Sequence, residues 1–246
     1  MFAGYAGRAG PSLGGMVDNS ADLVESLRAA LRSGADPVRA VGQQRYMKSE
    51  MPFLGLTSPA RRALVRPILD DPALRLESRE EWEGAVRRLW DEAEFREERY
   101  AALDLLRHRA YRTWHDPDVM PLVEHLVVTG AWWDLVDELS TVVGEALLVD
   151  PEGEGLRMRE WAVSDDVWLR RSAIISQLRH EERTDEDLLE DVIEPNLDDR
   201  EFFVRKAIGW ALRQHARTDP GWVREFVDRH THRISGLSRR EALKHL

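Results

Sequence analysis

Helix punctuation decides what this chain can become. Asp36-Pro37, Ser58-Pro59, Asp116-Pro117 and Asp219-Pro220 each place a side-chain acceptor at a helix N-cap and a proline at the first helical position, where its missing N–H costs nothing. Ser78 with Glu81 and Ser238 with Glu241 have the spacing of reciprocal capping boxes, and Thr184 with Asp187 has a weaker form of it. Apolar residues recur at the helical period after these signals, while β-branched runs of period two are hard to find. The spacing predicts an all-α chain with helices near 21–33, 37–48, 59–69, 79–93, 96–111, 117–128, 132–148, 155–163, 167–180, 185–194, 201–217, 220–231 and 238–245.

So many short helices cannot bury their faces in one bundle, which leaves stacked helix pairs in a superhelical solenoid. Three segments support a repeat: 99–106 (RYAALDLL), 171–178 (RSAIISQL) and 206–213 (KAIGWALR) each open on a cation and continue through small and apolar residues. The last two lie about 35 residues apart, the length of a two-helix repeat of the HEAT or armadillo kind.

The chain carries a net charge of −10, which by itself argues against nucleic acid. Its distribution argues otherwise. Residues 167–180 hold Arg170, Arg171 and Arg179 and no carboxylate, and residues 202–217 hold Arg205, Lys206, Arg213 and Arg217 and again none. The connector at 181–201 is overwhelmingly acidic. Charge segregated by alternate helix implies a basic concave face and an acidic convex one. A third basic stretch, 43–66, carries Arg45, Lys48, Arg61, Arg62 and Arg66 against Glu50.

Composition removes several chemistries. Without cysteine there is no disulfide framework, thiolate nucleophile or thiolate metal site, and a reducing, cytoplasmic setting fits. No apolar run is long enough to span a bilayer, so no membrane partner is expected. The eight histidines show no metal-ligand spacing, and GxSxG, Walker A and dinucleotide-binding loops are absent; neither a metal nor a cofactor is expected. Residues 1–19 read as a disordered leader or cloning remnant, and 20–246 as one domain.

The segment 131–137 (AWWDLVD) follows Gly130, and Trp133 and Asp137, four apart, share a helical face. Trp132 is expected in the core and Asp134 in the first turn, where its charge suits the helix dipole. Spacing alone favours a packed tryptophan and a solvated or salt-bridged acid here. Trp210 shifts the balance, because it lies inside a cationic helix assigned to the concave face, where a large aromatic is useful against something planar.

The stretches at 46–69 (YMKSEMPFLGLTSPARRALVRPIL), 129–140 (TGAWWDLVDELS), 167–178 and 201–227 together resemble the AlkD-type DNA alkylation repair glycosylases, in order over roughly residues 22–232. The resemblance implies a superhelix of HEAT-like repeats gripping duplex DNA, and excision of N3- and N7-alkylated purines by hydrolysis of the N-glycosidic bond. It implies that Asp137 is the catalytic carboxylate and that Trp133 and Trp210 flank the active site. Arg171 becomes the main DNA-facing arginine, worth about one counterion in the salt dependence, with Arg170 as substitute across a single-residue shift in spacing. Arg213 becomes a phosphate contact, and Arg205, Lys206, Tyr46, Lys48 and Arg99 complete the expected DNA-binding set. The implied recognition is from the backbone side, without base flipping and tolerant of bulky adducts, such as those left by DNA-alkylating natural products. A monomeric, monofunctional glycosylase follows. The competing reading is a non-catalytic HEAT-repeat scaffold, or a lesion-sensing DNA-binding protein, using the same concave face.

Overall fold

Most of the helices start where a side-chain acceptor meets them. The computed structural model of the chain describes residues 19–246, and among these are thirteen α-helices and no strand: α1 (Asn19–Ser33), α2 (Pro37–Met47), α3 (Ser58–Leu69), α4 (Arg79–Asp91), α5 (Arg96–Leu106), α6 (Met120–Gly130), α7 (Trp133–Val149), α8 (Pro151–Ala162), α9 (Val167–Ile174), α10 (Glu186–Ile193), α11 (Phe202–His215), α12 (Pro220–Arg229) and α13 (Gly236–Ala242). The leader expected over residues 1–19 lies outside the described residues, except that Asn19 already opens α1. No helix among the described residues is long and apolar enough to cross a membrane.

Asp36 accepts from Arg39 N and Asp219 from Trp222 N, and Ser78 and Glu81 form the full reciprocal box. Helices α5, α6, α7 and α11 have no such cap. Thr57, not Ser58, caps α3. Asp185 replaces Thr184 as the cap of α10, and Ser235 replaces Ser238 as the cap of α13. Asp150 accepts from Gly153 N, so α8 begins at Pro151 and not near residue 155. The long helix expected over 96–111 stops at Leu106. The following 3-10 turn, Arg109–Trp114, lays Tyr111 and Trp114 against the buried ring of Trp82 at 6.2 and 5.4 Å, a gain in packing that overrides local helix preference.

The odd-numbered helices α3, α5, α7, α9 and α11 contact one another in chain order, and each of α5, α7 and α9 packs on the even-numbered helix before it. This is a stack of helix pairs, the architecture of a helical-repeat solenoid. One continuous core runs from Leu23 to Ala242, with Trp82, Trp90 and Phe226 fully buried. The outward α10 and its flanks expose Asp187, Asp191, Glu194 and Asp198, the acidic outer face expected of the connector.

One buried carboxylate fixes the loop between α2 and α3. Glu97, 1% exposed, accepts from the backbone N–H groups of Leu54 (2.8 Å), Gly55 (2.9 Å) and Leu56 (3.1 Å). Gly55 stands at φ +92°, and a Cβ there would fall 2.1 Å from Asp36 O, so only glycine lets the loop close on α2. Replacing Glu97 with Ala orphans three buried donors and is expected to cost about 3–5 kcal/mol, read as a lower urea midpoint at unchanged m-value. A midpoint equal to that of wild type would show that the loop holds itself.

Candidate functional site

Helices α3, α5, α7, α9 and α11 turn one face each into a common groove, which α2 and α13 also line. On α7 the buried side is Leu135, Val136, Leu139, Val142 and Val143, which leaves Trp133, Asp134, Asp137, Glu138 and Thr141 on the groove side. On α11 the buried side is Val204, Ala207, Ile208, Ala211 and Leu212, which leaves Phe202, Phe203, Lys206, Trp210 and Arg213. Both sets follow the helical period.

The groove holds three adjoining hollows. One of about 360 Å3 is lined by Trp133, Asp137, Arg171, Lys206, Trp210 and Arg213 among others, and it shares Tyr46, Trp133 and Asp137 with a second of about 510 Å3. The second shares Arg107 with a third of about 460 Å3, which also carries Arg62, Arg66, Arg109 and Arg179. Nine Lys or Arg residues line the three hollows against six carboxylates, a local positive excess in a chain of net charge −10. The excess is smaller than the cationic helices alone suggest, because neighbouring helices supply carboxylates to them. Arg62 and Arg179 are exposed, and among the described residues neither makes an ion pair.

Asp137 is held in the groove by one bidentate ion pair. Arg171 grips it with both ends of the guanidinium fork, Nε to Oδ1 at 2.7 Å and Nη2 to Oδ2 at 2.8 Å, and Nη1 donates to Phe203 O at 2.6 Å. The Arg171 side chain is 5% exposed and that of Asp137 18%. Burial pushes the Asp137 carboxyl above the ordinary aspartate range; Arg171 pulls it back, and Asp134 and Glu138 push it further up. Asp134, beyond its place in the first turn, is held by Arg96 at 2.5 Å and accepts from Tyr100 Oη at 2.5 Å. Burial raises the Tyr100 hydroxyl above its usual range.

Of the residues singled out from the sequence, Asp137, Trp133, Trp210, Arg171, Lys206, Arg213 and Tyr46 line the same hollow. Trp132, expected in the core, is half-buried and packs against the edge of the core, with Trp168 at 6.0 Å and Phe203 at 5.3 Å. Arg171 and not Arg170 meets the carboxylate. Arg170 pairs with Asp199 at 3.1 Å and donates to Ser164 O and Asp165 O, while Arg205 donates to Asp199 O, so these two tie adjacent loops together. Arg99 lies over the Trp90 ring at 4.9 Å and donates to Thr129 O. Lys48 ends α2 in the left-handed conformation. Arg170, Arg205, Arg99 and Lys48 are not among the residues lining the groove hollows.

A family model described as DNA alkylation repair enzyme matches residues 27–246. The chain belongs to the DNA alkylation repair enzyme family. A solved structure described as a predicted DNA alkylation repair enzyme from Enterococcus faecalis is similar at a TM-score of 0.76 and 29% identity, over 86% of this chain and 96% of that one. No curated protein matches.

In this DNA alkylation repair enzyme several groove residues escape a reading of the sequence. Tyr100 and Asp104 sit at helical spacing on α5 and Arg107 caps its C-terminus, with Arg61 paired to Asp104 and Arg107 to Glu138. The same-face arithmetic that links Trp133 to Asp137 applies to Tyr100 and Asp104. Phe202 and Phe203, in T-shaped contact at 5.4 Å, and Glu241 also line the hollow. Among the described residues no group of three or more His, Asp or Glu is placed to hold a metal ion.

Proposed function

We propose that this DNA alkylation repair enzyme is a monofunctional DNA glycosylase that hydrolyses the N-glycosidic bond of cationic N3- and N7-alkylated purines in duplex DNA. The observation that carries the reading is Asp137, a largely buried carboxylate clamped by Arg171, in one hollow with the half-buried indoles of Trp133 and Trp210 and in a groove of net positive lining.

Alkylation at N7 or N3 puts a formal positive charge on the purine, so the base departs as a neutral molecule and needs no proton. Charge develops instead on the deoxyribose as an oxocarbenium-like ion. A fixed carboxylate beside C1′ stabilises that ion and orients water for attack at C1′, and water in turn releases a proton to solvent. The Arg171 clamp keeps Asp137 in place without reorganisation during the step. The faces of Trp133 and Trp210 attract cationic and CH groups, worth about 0.5–2 kcal/mol each. The groove is open, and its hollows suit recognition from the sugar-phosphate side with the base left stacked. Selectivity then rests on the lability of the cationic glycosidic bond, and large alkyl groups are tolerated. Incubation with duplexes carrying either N7-methylguanine or a bulky N3-alkyladenine tests this: release of both is expected, and release of the methylated base alone contradicts recognition without flipping.

The chemistry requires ionised Asp137. Because its folded pKa is raised, the fraction ionised falls on acidification before that of an ordinary aspartate would. Single-turnover excision, corrected for spontaneous depurination, is expected to be flat at neutral pH and to lose activity on the acid side with a midpoint above about 3.9, the usual aspartate value. An acid limb at or below that value would take Asp137 out of the chemistry.

A further inference from the structure

The Ser238–Glu241 spacing does not make a capping box. Ser238 N donates to Ser235 Oγ at 3.0 Å and Ser238 Oγ to Arg205 O at 2.9 Å, while Glu241 turns into the groove. There its Oε1 stands 3.2 Å from Lys206 Nζ and its Oε2 meets Arg213 Nη1. It shares the hollow with Asp137, Trp133 and Trp210. Delivery of this carboxylate depends on backbone contact: α13 packs more extensively on α11 than any other helix does, and a Cβ at Gly209 would lie 2.5 Å from Glu241 Cβ and 3.0 Å from Ser238 O. The hydrogen bond from Lys206, with the charges of Lys206 and Arg213, holds the Glu241 carboxyl below its usual range, so it is ionised at neutral pH.

We infer that Glu241 occupies, in the free protein, the place of a DNA phosphate between Lys206 and Arg213, and so acts as an internal competitor that sets the affinity for duplex DNA. The inference rests on the reading that the groove binds DNA. Lys206 and Arg213 are the two cations that α11 directs into the hollow beside Trp210. Glu241 reduces their combined charge by half, and an incoming phosphodiester must share or displace it. A competitor of this kind has a purpose in such a reaction. Substrate and abasic product carry the same phosphates, so phosphate contacts alone hold both equally. A carboxylate that re-forms its pairs as a strand leaves favours release.

The test is Glu241→Gln, with binding of an undamaged duplex followed by fluorescence anisotropy from 50 to 300 mM salt. The variant is expected to bind about 3- to 10-fold more tightly at ~0.1 M salt, with the slope of log affinity against log salt steeper by about 0.9, one further counterion released. In a background of Lys206→Gln and Arg213→Gln the same substitution is expected to give no gain. A carboxylate that merely anchored α13 would not raise affinity on removal. Affinity equal to or below that of wild type, with an unchanged slope, overturns the inference while leaving the proposed function standing. If neither protein binds duplex DNA, the proposed function falls and this inference with it.

Discussion

Asp137→Asn is expected to lower single-turnover excision of N7-methylguanine by about 10²–10³-fold, the scale of removing one preorganised electrostatic group from an active site. The substitution also has a structural cost. Arg171 is 4% exposed, and both carboxylate oxygens of Asp137 accept from it. The amide offers one acceptor and turns a donor toward the other guanidinium N–H. A buried cation left without its counter-charge costs about 3–5 kcal/mol, so the variant is expected to unfold at markedly lower denaturant. Rate and stability are therefore measured together, at a temperature where circular dichroism shows the variant folded. An excision rate near that of wild type in a folded variant would remove Asp137 from the reaction.

The second large effect concerns Arg171. The resemblance to AlkD-type glycosylases makes it a phosphate contact, and its truncation would then flatten the salt dependence by about one counterion. The structure places three of its donors within the protein, two on Asp137 and one on Phe203 O. Arg171→Met is accordingly expected to leave the salt slope of duplex binding unchanged and to destabilise the fold by about 3–5 kcal/mol. It also removes the main influence holding the Asp137 pKa down, so the acid limb of the excision profile is expected to move to higher pH. That movement separates a positioning residue from a merely structural one. A flattened salt slope with an unmoved acid limb would return Arg171 to the phosphates.

The balance between what the sequence discloses and what it hides follows from distance along the chain. Local signals were sufficient for several helix starts, because caps such as Asp36, Ser78 and Asp219 act within three residues. Alternate helices lining one groove were legible from charge, since segregation by helix has few other physical causes. The convergence of Trp133, Asp137 and Trp210 on one hollow was legible from helical spacing together with the family resemblance. The choice of ion-pair partners was not. Arg170 and Arg171 are neighbours in sequence, yet one meets Asp199, 29 residues on, and the other Asp137, 34 residues back. Adjacent helical residues point about 100° apart, and the register of stacked helices decides what each one finds. Glu241 shows the same limit: its spacing to Ser238 suits a cap, but the charges of Lys206 and Arg213 across α11 are the stronger attraction. The 3-10 turn at Arg109–Trp114 depends on the Trp82 ring, which lies some thirty residues earlier.

The central claim is that a clamped carboxylate sharing a hollow with two indoles releases purines because they are already cationic, with no proton donated to the base. The direct measurement is single-turnover base release from otherwise identical duplexes carrying N7-methylguanine, N3-methyladenine or the neutral lesion hypoxanthine. Release of the two cationic bases, with hypoxanthine untouched, is the predicted result. Comparable release of hypoxanthine would demand a general acid that this groove does not use, and would contradict the account.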